Sequence, residues 1–252
     1  QRILELPNID NIYIYPNMGD GGLSAGAALY VYSKEVGLKP FKIDNVYLGP
    51  EFKEEEIKEE IKKNNLRASR HENISGEIAE LLTKNKVIAR FNGKMEFGPR
   101  ALGNRSILYT PTDRTVNDWL NKRLKRTEFM PFAPVSIKEN AKKCYKNYDE
   151  DHPAANFMTI TYDCTDEMKK TQPAVVHVDG TARPQIISKE VNPTYYNIVK
   201  NFYKMTGLTS VINTSFNMHE EPIVCSPQDA IRSFKEGNLD YLAIGNYLIK
   251  NE

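Results

Sequence analysis

The chain has 252 residues, 40% of them hydrophobic and 27% charged, with 34 Lys plus Arg against 33 Asp plus Glu and a formal net charge of +1. That length suits one large domain, or one full domain carrying a piece of another, and the composition excludes wholesale disorder, a collagen-like repeat and a coiled coil. No apolar stretch approaches the roughly 18 to 20 residues that a bilayer-crossing helix needs, and the near-neutral balance gives no global field for nucleic acid or acidic membrane.

In chain order, Asn11 to Tyr15 (NIYIY) predicts a short strand, and Gly22 to Val36 a helix rich in small residues that stops at Gly37. The segment Gly37 to Pro50, punctuated by Pro40 and Gly49, predicts a connection between two parts of the chain. The charged run Glu51 to Lys63 predicts a solvated helix whose apolar stripe is Ile57 and Ile61. Further helices are expected over Ser75 to Lys84 with Ser75 as cap, Thr115 to Lys125, Thr194 to Met205 before Gly207, and Pro227 to Lys235 before Gly237. Strands are expected at Val87 to Phe91, closed by a turn at Asn92 and Gly93, and at Ala133 to Ile137, Phe157 to Tyr162, Ala174 to Val178, Thr209 to Asn213 and Tyr241 to Ile249. The class is therefore mixed α/β, with a strand order that the pattern does not give.

Cys144, Cys164 and Cys225 form no CxxC pair or knuckle, which suits a reducing cytoplasm, and the four histidines show no metal-binding spacing. The chain opens at Gln1 with no signal-peptide pattern and reads as a fragment or a processed chain.

Five places carry chemistry. Glu96 to Ser106 (EFGPRALGNRS) follows a predicted strand. Gly98 and Gly103 permit close backbone approach there, while Arg100 and Arg105 offer forked donors to phosphate or carboxylate, or else pair with nearby acids. Lys122, Arg123, Lys125 and Arg126 crowd into KRLKR, either as a solvated face or with one member turned inward. Arg183 stands in HVDGTARPQ after a predicted strand, a placement common for ligand-binding residues and equally open to a surface ion pair. Asn213, Thr214, Ser215 and Asn217 in NTSFN can contact a nucleotide or cap a turn. Asp20, in a Gly-flanked turn before a helix, can cap that helix or contribute to a metal.

Taken in order, FNGKMEFGPRALGNRSIL, MPFAPV, PAVVHVDGTARPQ and VINTSFNMHEEPIVCSPQDAI resemble the O-carbamoyltransferase family of the nodulation, cephalosporin and tobramycin carbamoyltransferases. The resemblance covers nearly the whole chain. It implies a YrdC-like mixed twisted sheet with helices over residues 46–252. The tail of an actin/sugar-kinase-like domain is implied over residues 1–45, around YIYPNMGDGGLSAGAAL. The implied reaction makes carbamoyl adenylate from carbamoyl phosphate and ATP with Mg2+, for transfer to a hydroxyl of a sugar or natural-product acceptor.

On that resemblance Arg100, Lys125 and Arg183 are the catalytic basic positions, and Arg105, Ser106, Asn213 and Ser215 contact ATP or carbamoyl phosphate. Asp20 resembles the carboxylate of an iron or other divalent-metal site whose histidines lie outside this sequence. One departure is Met130, where the family has arginine before Pro-Phe-Ala-Pro; with one residue fewer in KRTEFMPFAP, Lys122 or Arg126 can take the part of Lys125. The expected partners are the two substrates, the acceptor and a second copy of the chain. A membrane is not among them, and the alternatives to the enzyme are an RNA-binding or non-catalytic YrdC-like module.

Overall fold

The computed structural model describes residues 1–37, 43–127 and 131–251, so Pro40 within the expected connection, and Met130, lie outside the described residues. An eight-stranded mixed sheet organises the chain. Its strands are β1 (Ala68–Arg70), β2 (Ile88–Phe91), β3 (Arg105–Tyr109), β4 (Ala133–Ile137), β7 (Gln185–Ile187), β8 (Ser210–Ser215), β9 (Tyr241–Ile244) and β10 (Tyr247–Lys250), while β5 (Tyr162–Asp163) and β6 (Thr181–Ala182) form a separate small pair. The order across the large sheet is β1-β10-β9-β2-β3-β8-β4-β7. Only β2 with β9 and β4 with β7 run parallel.

The central strands are buried along their whole length because both faces are covered, so they read as near-continuous apolar runs. Ile107 points into the layer shared with α2 (Glu54–Lys63), α4 (Val116–Arg123) and α8 (Pro227–Glu236). Its neighbour Leu108 points the other way, into the layer of α3 (Ile74–Thr83) and α7 (Pro193–Thr206), which pack on each other. The ends of these helices follow their chemistry. Ser226 and Asp229 form a capping box on α8, Asn192 caps α7 ahead of Pro193, and Gly207 closes α7 in the left-handed region. Two short helices, α5 (Ala141–Cys144) and α6 (Asp166–Thr171), lie between β4 and β6. The helix α1 (Leu23–Val36) forms where expected and buries none of its residues.

Several expectations are corrected. Asn11 to Tyr15 alternates like a strand, yet it finds no strand partner among the described residues. Asn11 turns its side chain to its neighbour's N–H and to Asp151 O, and Tyr15 packs edge-on to Phe97. Phe157 to Tyr162 is interrupted by Met158 in the left-handed region, so a 3-10 turn (Pro153–Phe157) leads into the two-residue β5. Ala174 to Val178 is no strand either, because Pro173 starts a 3-10 turn and the Ala174 backbone is taken by Pro111 and by the Asn117 amide. The last predicted strand is a hairpin, turned at Gly245 and Asn246 with Ile244 opposite Tyr247. Asn73 rather than Ser75 caps α3, and the Ser75 hydroxyl donates to Thr194 O. The turn expected at Asn92 and Gly93 opens a longer excursion that returns as β3, so Arg105 and Ser106 are strand residues.

The three cysteines are free thiols. No helix among the described residues is long and apolar enough to cross a membrane. Leu82 is sealed between the sheet and the α3/α7 layer, so Leu82→Ala is expected to cost about 2–5 kcal/mol of stability in a urea titration, with an unchanged slope.

Candidate functional site

The excursion between β2 and β3 is a loop whose backbone is held from every side. Glu96 is buried, and its Oε1 accepts the N–H groups of Leu102 (2.8 Å), Asn104 (2.6 Å) and Arg105 (3.2 Å). The Gly103 N–H goes to Ser106 Oγ. The carbonyls are taken as completely: Ala101 O by the Asn213 amide, Leu102 O by the Tyr47 hydroxyl and the Gln185 amide, and Gly103 O by Arg90. Gly103 has φ +114°, and a side chain there would run into the Tyr195 ring, so glycine is required. Burial raises the Glu96 carboxyl above its usual range, the backbone N–H groups and Arg105 opposing.

This clamp fixes where the loop's arginines go. Arg105 lies beneath the loop, fully buried. Its guanidinium sits 3.7 Å from the Phe91 ring centroid and donates to the carbonyls of Asn92, Gly93, Asn104 and Pro50. Burial pushes it down to about 10. Ser106 is equally buried, so the structure makes supports of two residues expected to contact ligand. Asn213 is a third support, spanning Ala101 O and Gln185 Oε1 while its own Oδ1 stays unpartnered among the described residues.

Arg100 is different. It is half-buried, and among the described residues its Nε has no hydrogen-bond partner and no carboxylate pairs with it. Arg183 shares these features, and burial together with the Arg100 charge pushes it down to about 10. The Arg100 charge is felt at Arg183, and neither guanidinium is neutralised by a described residue, so an anion bound near them would be favoured. His177, beside Arg183, is also lowered, chiefly by burial.

At the end of α4, the KRLKR cluster separates into different roles. Arg123 lies over Trp119 and pairs with Asp240 at 3.6 Å, while Lys122 and Lys125 are exposed, Lys125 with φ +56°. Arg126 is the member that turns inward. It donates to Thr214 Oγ1 (3.0 Å), to Ser215 O and Oγ (3.1 Å each), and to Asn121 and Asn217, and burial pushes it down to about 10. Ser215 in turn donates to Asn217 Oδ1. The sequence pattern left a solvated face and one inward cation both open, and did not say which member would turn in. Glu96 and Gln185 lie in the motifs singled out above without a role being read for them, and Arg90 and Tyr47 gave no signal, since these residues act largely by binding backbone.

Asp20 lies in a 3-10 turn (Asp20–Gly22) ahead of α1 and makes no side-chain capping bond. Among the described residues no three His, Cys, Asp or Glu side chains converge, so these donors do not by themselves fit an iron or other divalent-metal site.

The fold and its loops thus define a mixed α/β domain in which, among the described residues, no carboxylate pairs with Arg100 or Arg183. Residues 79–251 match the family described as Carbamoyltransferase C-terminus, and the chain belongs to that family. It is 39% identical over 263 residues to an uncharacterized protein of Methanocaldococcus jannaschii, covering 100% of this chain and 42% of the relative. It is 37% identical over 248 residues to the nodulation protein NolO of Bradyrhizobium diazoefficiens, covering 96% of this chain and 45% of the relative. The chain therefore spans less than half the length of these curated relatives. Among solved structures it resembles full-length HypF in its phosphate- and nucleotide-bound form, with TM-score 0.51, 20% identity, and coverage of 71% of this chain and 26% of that one. That likeness is one of fold, and it agrees with the YrdC-like mixed sheet expected from the sequence.

Glu96→Ala would leave three buried N–H groups without an acceptor and is expected to cost about 3 kcal/mol or more, whereas Glu96→Gln, keeping a carbonyl oxygen there, is expected to cost about 1; paired urea titrations measure both. Arg100→Ala removes repulsion and no partner. Its melting temperature is expected to stay within about 2 °C of wild type, and pyrophosphate is expected to raise the melting temperature of the wild type and not of the variant in thermal melts.

Proposed function

We propose that this chain is the C-terminal part of an ATP-dependent O-carbamoyltransferase, forming carbamoyl adenylate from carbamoyl phosphate and ATP for a hydroxyl-bearing acceptor. The observation that carries the reading is the pair Arg100, on the loop between β2 and β3, and Arg183, between β6 and β7, neither neutralised by a described residue, in a chain of this family. Carbamoyl phosphate and ATP together bring several negative charges to one place, and preorganised guanidinium groups offset their mutual repulsion. The balance of atoms needs water to split carbamoyl phosphate into carbamate and phosphate. A carbamate oxygen then attacks the α-phosphorus of ATP, and pyrophosphate leaves.

In this reading Arg100 and Arg183 hold the transferred group's phosphate, and Lys125, exposed beside Arg126, is free to meet the nucleotide phosphates. Arg126 holds Ser215 in place. Mg2+ enters with ATP as part of the substrate. The division at residues 45 and 46 is part of the same proposal. It is supported by Val46, which is buried, and by Tyr47, which bridges to Glu96, so that the body carrying the loop begins there.

Calorimetry of the folded chain with ATP and with carbamoyl phosphate tests the reading. Micromolar to millimolar binding of both is expected, with release of pyrophosphate when the two are combined with Mg2+; a folded chain that binds neither would overturn it.

A further inference from the structure

A group of side chains away from the arginine loop has the arrangement of an activated nucleophile. Ser69 Oγ lies 2.7 Å from His71 Nε2, and at the other nitrogen of the same ring His71 Nδ1 faces Glu77 Oε1 at 3.5 Å. The order of these contacts, hydroxyl to Nε2 and carboxylate to Nδ1, is that of a serine, its general base and the carboxylate that orients the base.

The fold brings the three together from two elements. Ser69 stands on β1, the edge strand of the large sheet, opposite Leu248. His71 prolongs the same ladder, its N–H bound to Asn246 O, so the Ser69 and His71 side chains lie on one face of an extended segment. Arg70, between them, pairs instead with Glu54 of α2 at 3.0 Å. Glu77 comes from the first turn of α3, which is anchored by the burial of Ile74, Ile78, Ala79 and Leu82. The Ser69–His71 contact alone could follow from strand geometry. The carboxylate on the far ring nitrogen, supplied by a separate and well-packed helix, is the independent observation. Leu248 O competes for the Ser69 hydroxyl, but at 3.4 Å it is the poorer acceptor.

We propose that Ser69 is a nucleophilic site that cleaves small esters with good leaving groups, with His71 as general base and Glu77 as a positioning residue. The proposal does not depend on carbamoyl transfer. Ser69 Oγ attacks the ester carbonyl carbon as its proton passes to His71 Nε2. The leaving alcohol or phenol departs with that proton, and the acyl group stays on Ser69. Water then attacks the acyl carbon and gives a proton to His71, and Ser69 Oγ leaves and recovers it, so the net products are acid and alcohol. Glu77 holds the ring with Nδ1 protonated, which leaves Nε2 free to accept. Because Ser69 is exposed, the ester is selected by its leaving group and not by its shape.

The test uses the whole chain with p-nitrophenyl acetate and, separately, with a fluorophosphonate, which attaches irreversibly to an activated serine hydroxyl as fluoride leaves. Wild type is expected to release p-nitrophenol about tenfold or more faster than Ser69→Ala and His71→Gln, with Glu77→Gln between them. The fluorophosphonate is expected on Ser69 by peptide mass spectrometry, and not on Ser69 of His71→Gln. Melting temperatures are expected to match throughout, since Ser69 is exposed and neither His71 nor Glu77 is fully buried. Ester cleavage by wild type no faster than by Ser69→Ala would overturn the site. Labelling confined to other residues, or equal labelling of Ser69 with and without His71, would overturn it as well.

Discussion

Everything distinctive in this molecule depends on one buried carboxylate. Glu96 has no exposed route to water, and a lone charged carboxylate in such a place is costly unless donors surround it. Here the donors are the N–H groups of the loop itself. Residues 102–105 wrap around Glu96 Oε1, while its Oε2 has no hydrogen-bond partner among the described residues, and Arg100 lies just before the wrapped stretch. The carbonyls of the same loop are then met by Arg90, Tyr47, Gln185 and Asn213, each from a different part of the sheet or its flanks. A loop this constrained loses little further entropy when a ligand arrives, which is the physical content of preorganisation.

The two kinds of arginine are distinguished by where their hydrogen bonds go. Arg90 and Arg105 are more deeply buried than Arg100 and Arg183, yet their guanidinium groups are largely satisfied by carbonyls and lie against the Tyr195 and Phe91 rings. Arg100 and Arg183 are less buried and unsatisfied, and the charge on Arg100 adds to what burial already costs the charged form of Arg183. Folding gains nothing from setting two such groups together. Under the proposed function their placement is stability given up for binding an anion, in the way that strained or like-charged arrangements gather at functional positions.

Much of the architecture was legible because burial on both faces leaves a strong mark. Ala133 to Ile137 and the helices beginning at Pro193 and Pro227 read directly from apolar runs, proline at the first turn and glycine past the end. The segments that misled are those where side chains of strand-forming type have their backbone groups taken by something other than a strand. AVVHV is the clearest case, with Asn117 and Pro111 occupying the positions a neighbouring strand would need. The site was legible to the level of residue type and not of role. Arginines in a Gly-rich loop advertise an anion site, but nothing local tells that Arg105 would face down and Arg100 out, because that choice is made by Glu96 nine residues before the one and four before the other. In the same way KRLKR was open to a solvated face or to one inward cation, and only the acceptors on Thr214 and Ser215, far along the chain, turn Arg126 inward.

The loop also has a second neighbour. Gly98, with φ +113°, is in contact range of Pro16 O and the Asn17 side chain, and Phe97 meets the Tyr15 ring edge-on at 6.3 Å. Pro16 is buried in this contact, although the following helix α1 buries nothing. One wall of the arginine site is thus also the seat of the segment that leads to Asp20. The Glu96 hydrogen bonds hold residues 102–105, and residues 97 and 98, where the N-terminal segment approaches, lie just outside them.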